Sequence, residues 1–346
     1  MDLNTMAFLL LAALLATYAV LDGFDLGVGI LSLFARSKEE RDLHVAAIGP
    51  VWDGNEVWLL ASGNVLFGAF PAVFATVFGG FYLALVLVLV ALVARAVSIE
   101  FRLLHPSTPW LRTFDLCFGL GSLVPAVLFG VAVGNVLRGV PLGPDLEWRG
   151  SFLGLLNPYA LLVGLVGCAF FVMHGALYLR GKVPAELGDR LRRIALASHA
   201  AFVALYAAAT LLTIRGSPAL FAKAGSPLFV ALVALLALAL AAIPIATAAG
   251  RVRLAFAASS ATIALVIMLA ALSLHPVLVP STLGAGLSLT IYNAASTPGT
   301  LRAMLAIACA GVPLIAAYTF AIYRVFRGQA RAGAHAGGIA TDPECG

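Results

Sequence analysis

Charge is what this chain has least of. Only 11% of its 346 residues are Asp, Glu, Lys or Arg, where a soluble globular protein carries roughly a quarter. Its apolar share is 62% and its mean hydropathy is +1.03. No soluble core of this size could hide so much apolar surface, because part of any folded chain stays wetted. A soluble fold is therefore excluded and a polytopic, all-α membrane protein is expected. Cysteine is also scarce: Cys117, Cys168, Cys309 and Cys345 show no CxxC spacing, and three of them lie in apolar runs. That argues for small core thiols rather than a disulfide framework or a metal site. The chain has no Gly-rich phosphate loop, no CxxCH and no nucleophile elbow, so the chemistry of soluble enzymes has no visible home. The net charge of +5 comes from scattered basic residues, without the dense stripe that tracks phosphates, and no nucleic-acid partner is expected.

What is present is a series of apolar runs. A span needs about 20 mostly apolar residues, and nine segments qualify: 6–34, 52–70, 73–99, 113–137, 152–179, 194–214, 227–249, 254–274 and 300–325. The first lacks a basic leader and is too long for a signal-peptide core, so it reads as a spanning helix. The second is the weakest, since it opens Trp52-Asp53-Gly54-Asn55-Glu56. Basic residues argue for keeping it. With the N-terminus outside, 15 Lys and Arg fall in inner segments and 5 in outer ones, with Arg95 inside a span; such a bias marks the cytoplasmic side. The expected organisation is one membrane domain, 1–327, and a Gly- and Ala-rich disordered cytoplasmic tail, 328–346.

The few charges gather in the first third. Asp22 and Asp25 share a helix face, being three apart. At 1.5 Å per residue Asp22 lies about 24 Å from Met6, the inner part of a core roughly 30 Å thick. Gly23, Gly27 and Gly29 leave that stretch thin enough for another helix to approach. Asp53 and Glu56 enter from the inner side, and Arg95 and Glu100 arrive at the same level. Five acids thus meet one buried base. So many carboxylates cannot all stay ionised cheaply in a low dielectric, so protons or water must sit among them. A proton path and a helix-end polar network that pins the helices both fit this pattern.

Other candidates are weaker. His174 and His199, on neighbouring spans near the inner face, could ligate haem, but helix-end histidines are more often simply hydrogen-bonded. Trp52, Trp58 and Trp110 read as interfacial anchors. Asn135, Asn157 and Tyr159 flank the outer face. A proton-coupled transporter or channel could use the same acids, but its polar sites would lie at midplane in both halves, and spans six to nine are nearly free of charge. A purely structural scaffold leaves the acids unexplained.

Several strings carry a resemblance. Leu21-Asp22-Gly23-Phe24-Asp25-Leu26-Gly27-Val28-Gly29, Pro50-Val51-Trp52-Asp53-Gly54-Asn55-Glu56-Val57-Trp58-Leu59, Gly79-Gly80-Phe81-Tyr82, Glu100-Phe101-Arg102, Leu156-Asn157-Pro158-Tyr159 and His174-Gly175-Ala176-Leu177-Tyr178-Leu179 occur in order. In these the chain resembles subunit II of the cytochrome bd ubiquinol oxidases, from about residue 7 to 325. The resemblance implies two helical bundles plus a peripheral helix, in a bacterial or archaeal plasma membrane. It implies the second subunit of a quinol oxidase that reduces oxygen to water, not catalytic alone. Haems b and d are expected in a partner subunit I, which this chain stabilises. A cytoplasmic proton path, a structural quinone, bound lipid and small single-helix accessory subunits are further expectations. Carried over onto this sequence, the matched polar positions are Asp25, Trp52, Asp53, Asn55, Glu56, Arg95, Glu100 and Arg102. Asp53 and Asp25 are the first choices for proton handling, with Arg95 as their charge partner. The chain is shorter than some members at 215–227, which puts in doubt any external contact built from that loop.

Overall fold

A computed structural model describes residues 2–145 and 147–330. The tail expected to be disordered lies, from 331 onward, outside the described residues. Helix α1 (Leu3–Ser32) is the hub. The Asp2 side chain accepts from Thr5 N at 2.7 Å and caps it. It packs on α3 (Trp52–Ala69), α6 (Thr108–Arg138), α8 (Pro158–Arg180), α11 (Val252–Leu274) and α12 (Pro298–Val325). Together with α5 (Tyr82–Phe101), helices α1, α3 and α6 form one bundle. The second bundle is α8, α9 (Ala185–Gly216), α10 (Pro227–Ala248) and α11. α12 lies outside both, with 0% of its most apolar stretch buried against 56% for α1.

Small residues bring the bundles together. A Cβ on Gly27 would stand 1.9 Å from the Phe171 carbonyl oxygen, and one on Gly175 would stand 2.6 Å from the Gly27 carbonyl carbon. Here α1 and α8 touch backbone to backbone, which any side chain would forbid.

One expected span is not a single helix. Residues 73–99 are divided between α4 (Pro71–Gly80) and α5, and α4 turns away from α3 by 119°. The cause is local. Pro71 disfavours the helical conformation at the preceding residue, and Phe70 sits at φ −133°, ψ 63°. Gly79 and Gly80 then weaken the helix before Phe81. Among the described residues eight helices are long and apolar enough to cross a membrane singly, and the bent pair α3–α4 makes the ninth candidate. The last turn of α3 is tied down, since Ser296 N donates to Ala69 O at 2.8 Å at the end where the 275–299 connection lies.

Connections at the opposite end also converge. A short helix not expected from the sequence, α2 (Lys38–Ile48), packs there with its Ser37 cap. Arg190, near the start of α9, bonds Glu40 of α2 at 2.7 Å, and Lys182 Nζ donates to Phe326 O beyond α12 at 2.5 Å. The segments richest in Arg and Lys therefore share one end of the molecule. At the other, β1 (Val277–Val279) pairs antiparallel with β2 (Leu289–Thr290), and the connection after α6 bridges to it through Val140 and Ser281.

Candidate functional site

The site grows from α1. Asp22 and Asp25 are fully buried on one face, toward α3 and α5. Arg95 of α5, also fully buried, donates through Nη2 to Asp22 Oδ1 at 2.7 Å and to Glu56 Oε1 at 2.5 Å. Tyr18, one turn before Asp22, donates to Asp22 Oδ2 at 2.8 Å. Asp25 is held separately. Asn55 Nδ2 donates to Asp25 Oδ2 at 2.7 Å and to Leu21 O at 3.2 Å, and Tyr323 of α12 donates to Asn55 Oδ1 at 3.0 Å. Asp25 Oδ1 and Arg95 Nε and Nη1 are buried without a hydrogen-bond partner among the described residues. Beside Asn55 is a cavity of about 10 Å³ lined by Pro50, Val51, Gly54, Asn55, Tyr318, Thr319, Ile322 and Tyr323. That is about the room one water needs.

A second network lies nearer the basic end. Arg102, buried just past α5, pairs with Asp42 of α2 and, through Nε at 2.6 Å, with Asp115 of α6. Lys38 joins Asp42 at 2.7 Å. Burial works against charge on Asp42, but the Lys38 and Arg102 hydrogen bonds outweigh it and hold its carboxyl below the usual range. His44, on the same helix, is 2% exposed, and burial pushes its imidazole down to about 4.

The structure corrects the expected grouping. Asp53 and Glu100 are exposed and do not join the cluster. Arg95 pairs with Asp22 and Glu56 rather than with Asp53 and Asp25, so three acids, not five, gather around the base. Trp52 and Trp58 are core residues rather than interfacial anchors, and Trp58 Nε1 donates to Thr319 at 3.3 Å. Tyr18, Tyr323, Asp42 and Asp115 were not foreseen. Of these only Tyr18 left a simple sign, being four residues before Asp22 on one helix face.

His174 is fully buried, stacked on Phe256, with Nδ1 2.7 Å from Ser259 Oγ and Nε2 3.0 Å from Val20 O. Both ring nitrogens are thus engaged within the chain. His199, on α9, is partly exposed. Among the described residues no group of three or more His, Cys, Asp or Glu is placed to hold a metal ion.

Fold and site together define a polytopic α-helical membrane protein with an arginine–carboxylate network buried between its first three spans. Residues 3–326 match the family described as cytochrome bd terminal oxidase subunit II. Relatives include the cytochrome bd-I ubiquinol oxidase subunit 2 of Escherichia coli strain K12, 36% identical over 90% of this chain and 91% of that protein. The cytochrome bd ubiquinol oxidase subunit 2 of Bacillus subtilis is 31% identical over 94% and 96%. The structure of bd oxidase from Geobacillus thermodenitrificans shares the fold, with a TM-score of 0.74 and 19% identity over 94% of this chain and 99% of that one. The chain belongs to the cytochrome bd terminal oxidase subunit II family. It is a multi-pass membrane subunit of a haem-containing quinol oxidase complex, and its partner is subunit I.

Proposed function

We propose that this chain is the haem-free subunit of the oxidase, that it stabilises subunit I, and that it carries protons inward from the cytoplasmic face. The observation that carries the reading is the buried imbalance: Asp22 and Glu56 share the guanidinium of Arg95, and Asp25, one turn from Asp22, is held only by the neutral Asn55 amide. A purely structural network would balance its charges, because an uncompensated buried carboxylate is costly. An excess of acids with unpartnered polar atoms among them suits transient protonation. Asn55 and Tyr323 link Asp25 to the water-sized cavity. In this reading Asp53, exposed on the first turn of α3, serves as the entry group. The cytoplasmic face is assigned to the end that gathers the basic connections, with the N-terminus outside.

In this reading haems b and d reside in subunit I, since His174 has both nitrogens committed inside the chain. The apolar faces of α3, α5 and α12 left uncovered, with Leu60, Leu87, Val90 and Leu314 exposed, suit subunit I, lipid, small single-helix accessory subunits and a structural quinone. The test is Asp53→Asn in the purified complex. Oxygen consumption with excess quinol should fall roughly tenfold, a modest share of what general acid–base groups contribute, while the reduced-minus-oxidised haem spectrum stays unchanged. Full turnover would remove Asp53 from the path.

A further inference from the structure

Helix α12 is the least enclosed span of the chain, yet it reaches the buried acids. Its most apolar stretch is 0% buried, and it packs mainly on α3 and α1. With so little apolar packing, its place along α3 rests on a few polar contacts. Before its first turn Ser296 Oγ donates to Gly68 O at 2.7 Å. Farther along, Thr319 accepts from Trp58, and the Tyr323 hydroxyl donates to Asn55 Oδ1 at 3.0 Å.

The far end of α12 is held by one side chain from outside the spans. Lys182, between α8 and α9, donates through Nζ to Phe326 O at 2.5 Å and to Gly328 O at 3.2 Å. Its own carbonyl accepts from Ala330 N at 2.8 Å. An ammonium at this point also answers the negative end of the helix dipole. The same Nζ lies 5.7 Å from the centre of the Tyr178 ring. Tyr178 stacks on Phe24 at 4.0 Å, and Phe24 meets the Tyr323 ring edge-on at 6.3 Å. Lys182 thus grips both the end of α12 and the aromatic stack against which Tyr323 leans.

Asn55 translates this grip into the acid site. It is fully buried, and its Nδ2 donates to both Leu21 O and Asp25 Oδ2. A backbone carbonyl only accepts, so the amide oxygen must face the other way, toward Tyr323. Turned over, the amide would set its oxygen against the Leu21 carbonyl and the Asp25 carboxyl. Tyr323 supplies the donor that the observed orientation requires, and its hydrogen bond polarises the amide that holds Asp25. A shift of α12 by one residue would rotate Tyr323 by about 100° and take the hydroxyl off Asn55.

We infer that Tyr323 is a positioning residue for Asp25, acting through the Asn55 amide, and that Lys182 is the latch that keeps α12 in the register delivering it. The inference rests on the proton reading of Asp25 and adds to it two residues that do not touch Asp25.

The test measures oxygen consumption of the purified oxidase complex with excess quinol across a pH series, the haem spectrum reporting that each variant is assembled. Asp25→Asn should slow turnover about tenfold. Tyr323→Phe, which removes only the hydroxyl, should slow it about fivefold and move the midpoint of the pH profile by about 0.7 unit, the same factor on a pH scale. Lys182→Met should act alike, whereas Lys182→Arg, which keeps a cation at the end of α12, should restore the wild-type profile. Neither Tyr323→Phe nor Lys182→Met should cost anything further in the Asp25→Asn background, because both act through that carboxyl. A slow Asp25→Asn beside wild-type rates and profiles in the other two overturns the positioning role and leaves the proton reading standing. Losses that multiply in the double variants overturn it as well, since the two residues would then act elsewhere. A normal Lys182→Met beside a slow Tyr323→Phe overturns the latch. A fully active Asp25→Asn removes Asp25 from the proton path and takes this proposal with it.

Discussion

Removing the charge of Arg95 is the sharpest perturbation of this fold. The guanidinium is fully buried and bonds Asp22, itself fully buried, at 2.7 Å and Glu56, whose side chain is 25% exposed, at 2.5 Å. Arg95→Met keeps most of the stem and deletes the cation. Glu56 can draw on water, but Asp22 would retain only the Tyr18 hydroxyl at 2.8 Å. Breaking a buried pair by removing one partner costs about 3–5 kcal/mol, a large share of the roughly 5–15 kcal/mol by which proteins are stable. In a chain of this size that corresponds to a melting temperature lower by roughly 5 °C. Scanning fluorimetry and haem content of the purified complex would measure it. The triple variant Arg95→Met, Asp22→Asn, Glu56→Gln removes all three charges of the paired group and should recover most of the loss. A single variant that melts within about 2 °C of wild type with full haem would refute the argument, as would a triple variant no better than the single.

Two further outcomes follow from the packing. Gly27→Ala drives a methyl to 1.9 Å from the Phe171 carbonyl oxygen, whereas nothing lies within 4 Å of a Cβ on Gly63; the first should cost about 3 kcal/mol or more and lower the yield of haem-loaded complex, the second should be silent, and equal yields would show that α1 and α8 can part freely. His44 titrates near 4 when folded and near 6.5 when unfolded, so the unfolded chain binds more protons between those values. Its contribution to stability is therefore lost as pH falls through that window, by roughly 3 kcal/mol at its lower end. His44→Phe should flatten the melting temperature over this range, and an unchanged acid slope in that variant would place the sensitivity elsewhere.

What the sequence disclosed and what it hid divide along a physical line. Depth in a membrane is legible, because residues can be counted from the start of an apolar run at 1.5 Å each. Counting brought Asp22, Asp25, Glu56 and Arg95 to one level, and the structure joins them through Arg95 and Asn55. Rotation about a helix axis is not legible in the same way. A helix between lipid and protein is apolar on every side, so no amphipathic stripe says which face looks inward. Asp53 and Glu100 were therefore placed at the right height but on the wrong side, and both are exposed. Part of this was recoverable. At 3.6 residues per turn, Glu100 stands about 140° around α5 from Arg95, while Arg102 returns to within about 20° of it. Arg95 and Arg102 thus form one buried edge, the first held by Asp22 and Glu56, the second by Asp42 and Asp115. The Pro71 break was likewise open to reading, since a proline after Phe70 argues against one continuous helix. Asp42 was hidden for a different reason: its helix, α2, is short and polar, and in a chain of long apolar runs such a segment passes for a loop. Yet α2 carries the acids that neutralise Arg102 and Arg190. It closes the end where four connections and the stretch after α12 meet, and makes that end a set of paired charges around His44. Around Arg95 the acids outnumber the base, whereas Lys38, Arg41 and Arg102 together balance Asp42 and Asp115, so the proposed proton role falls to the Arg95 network.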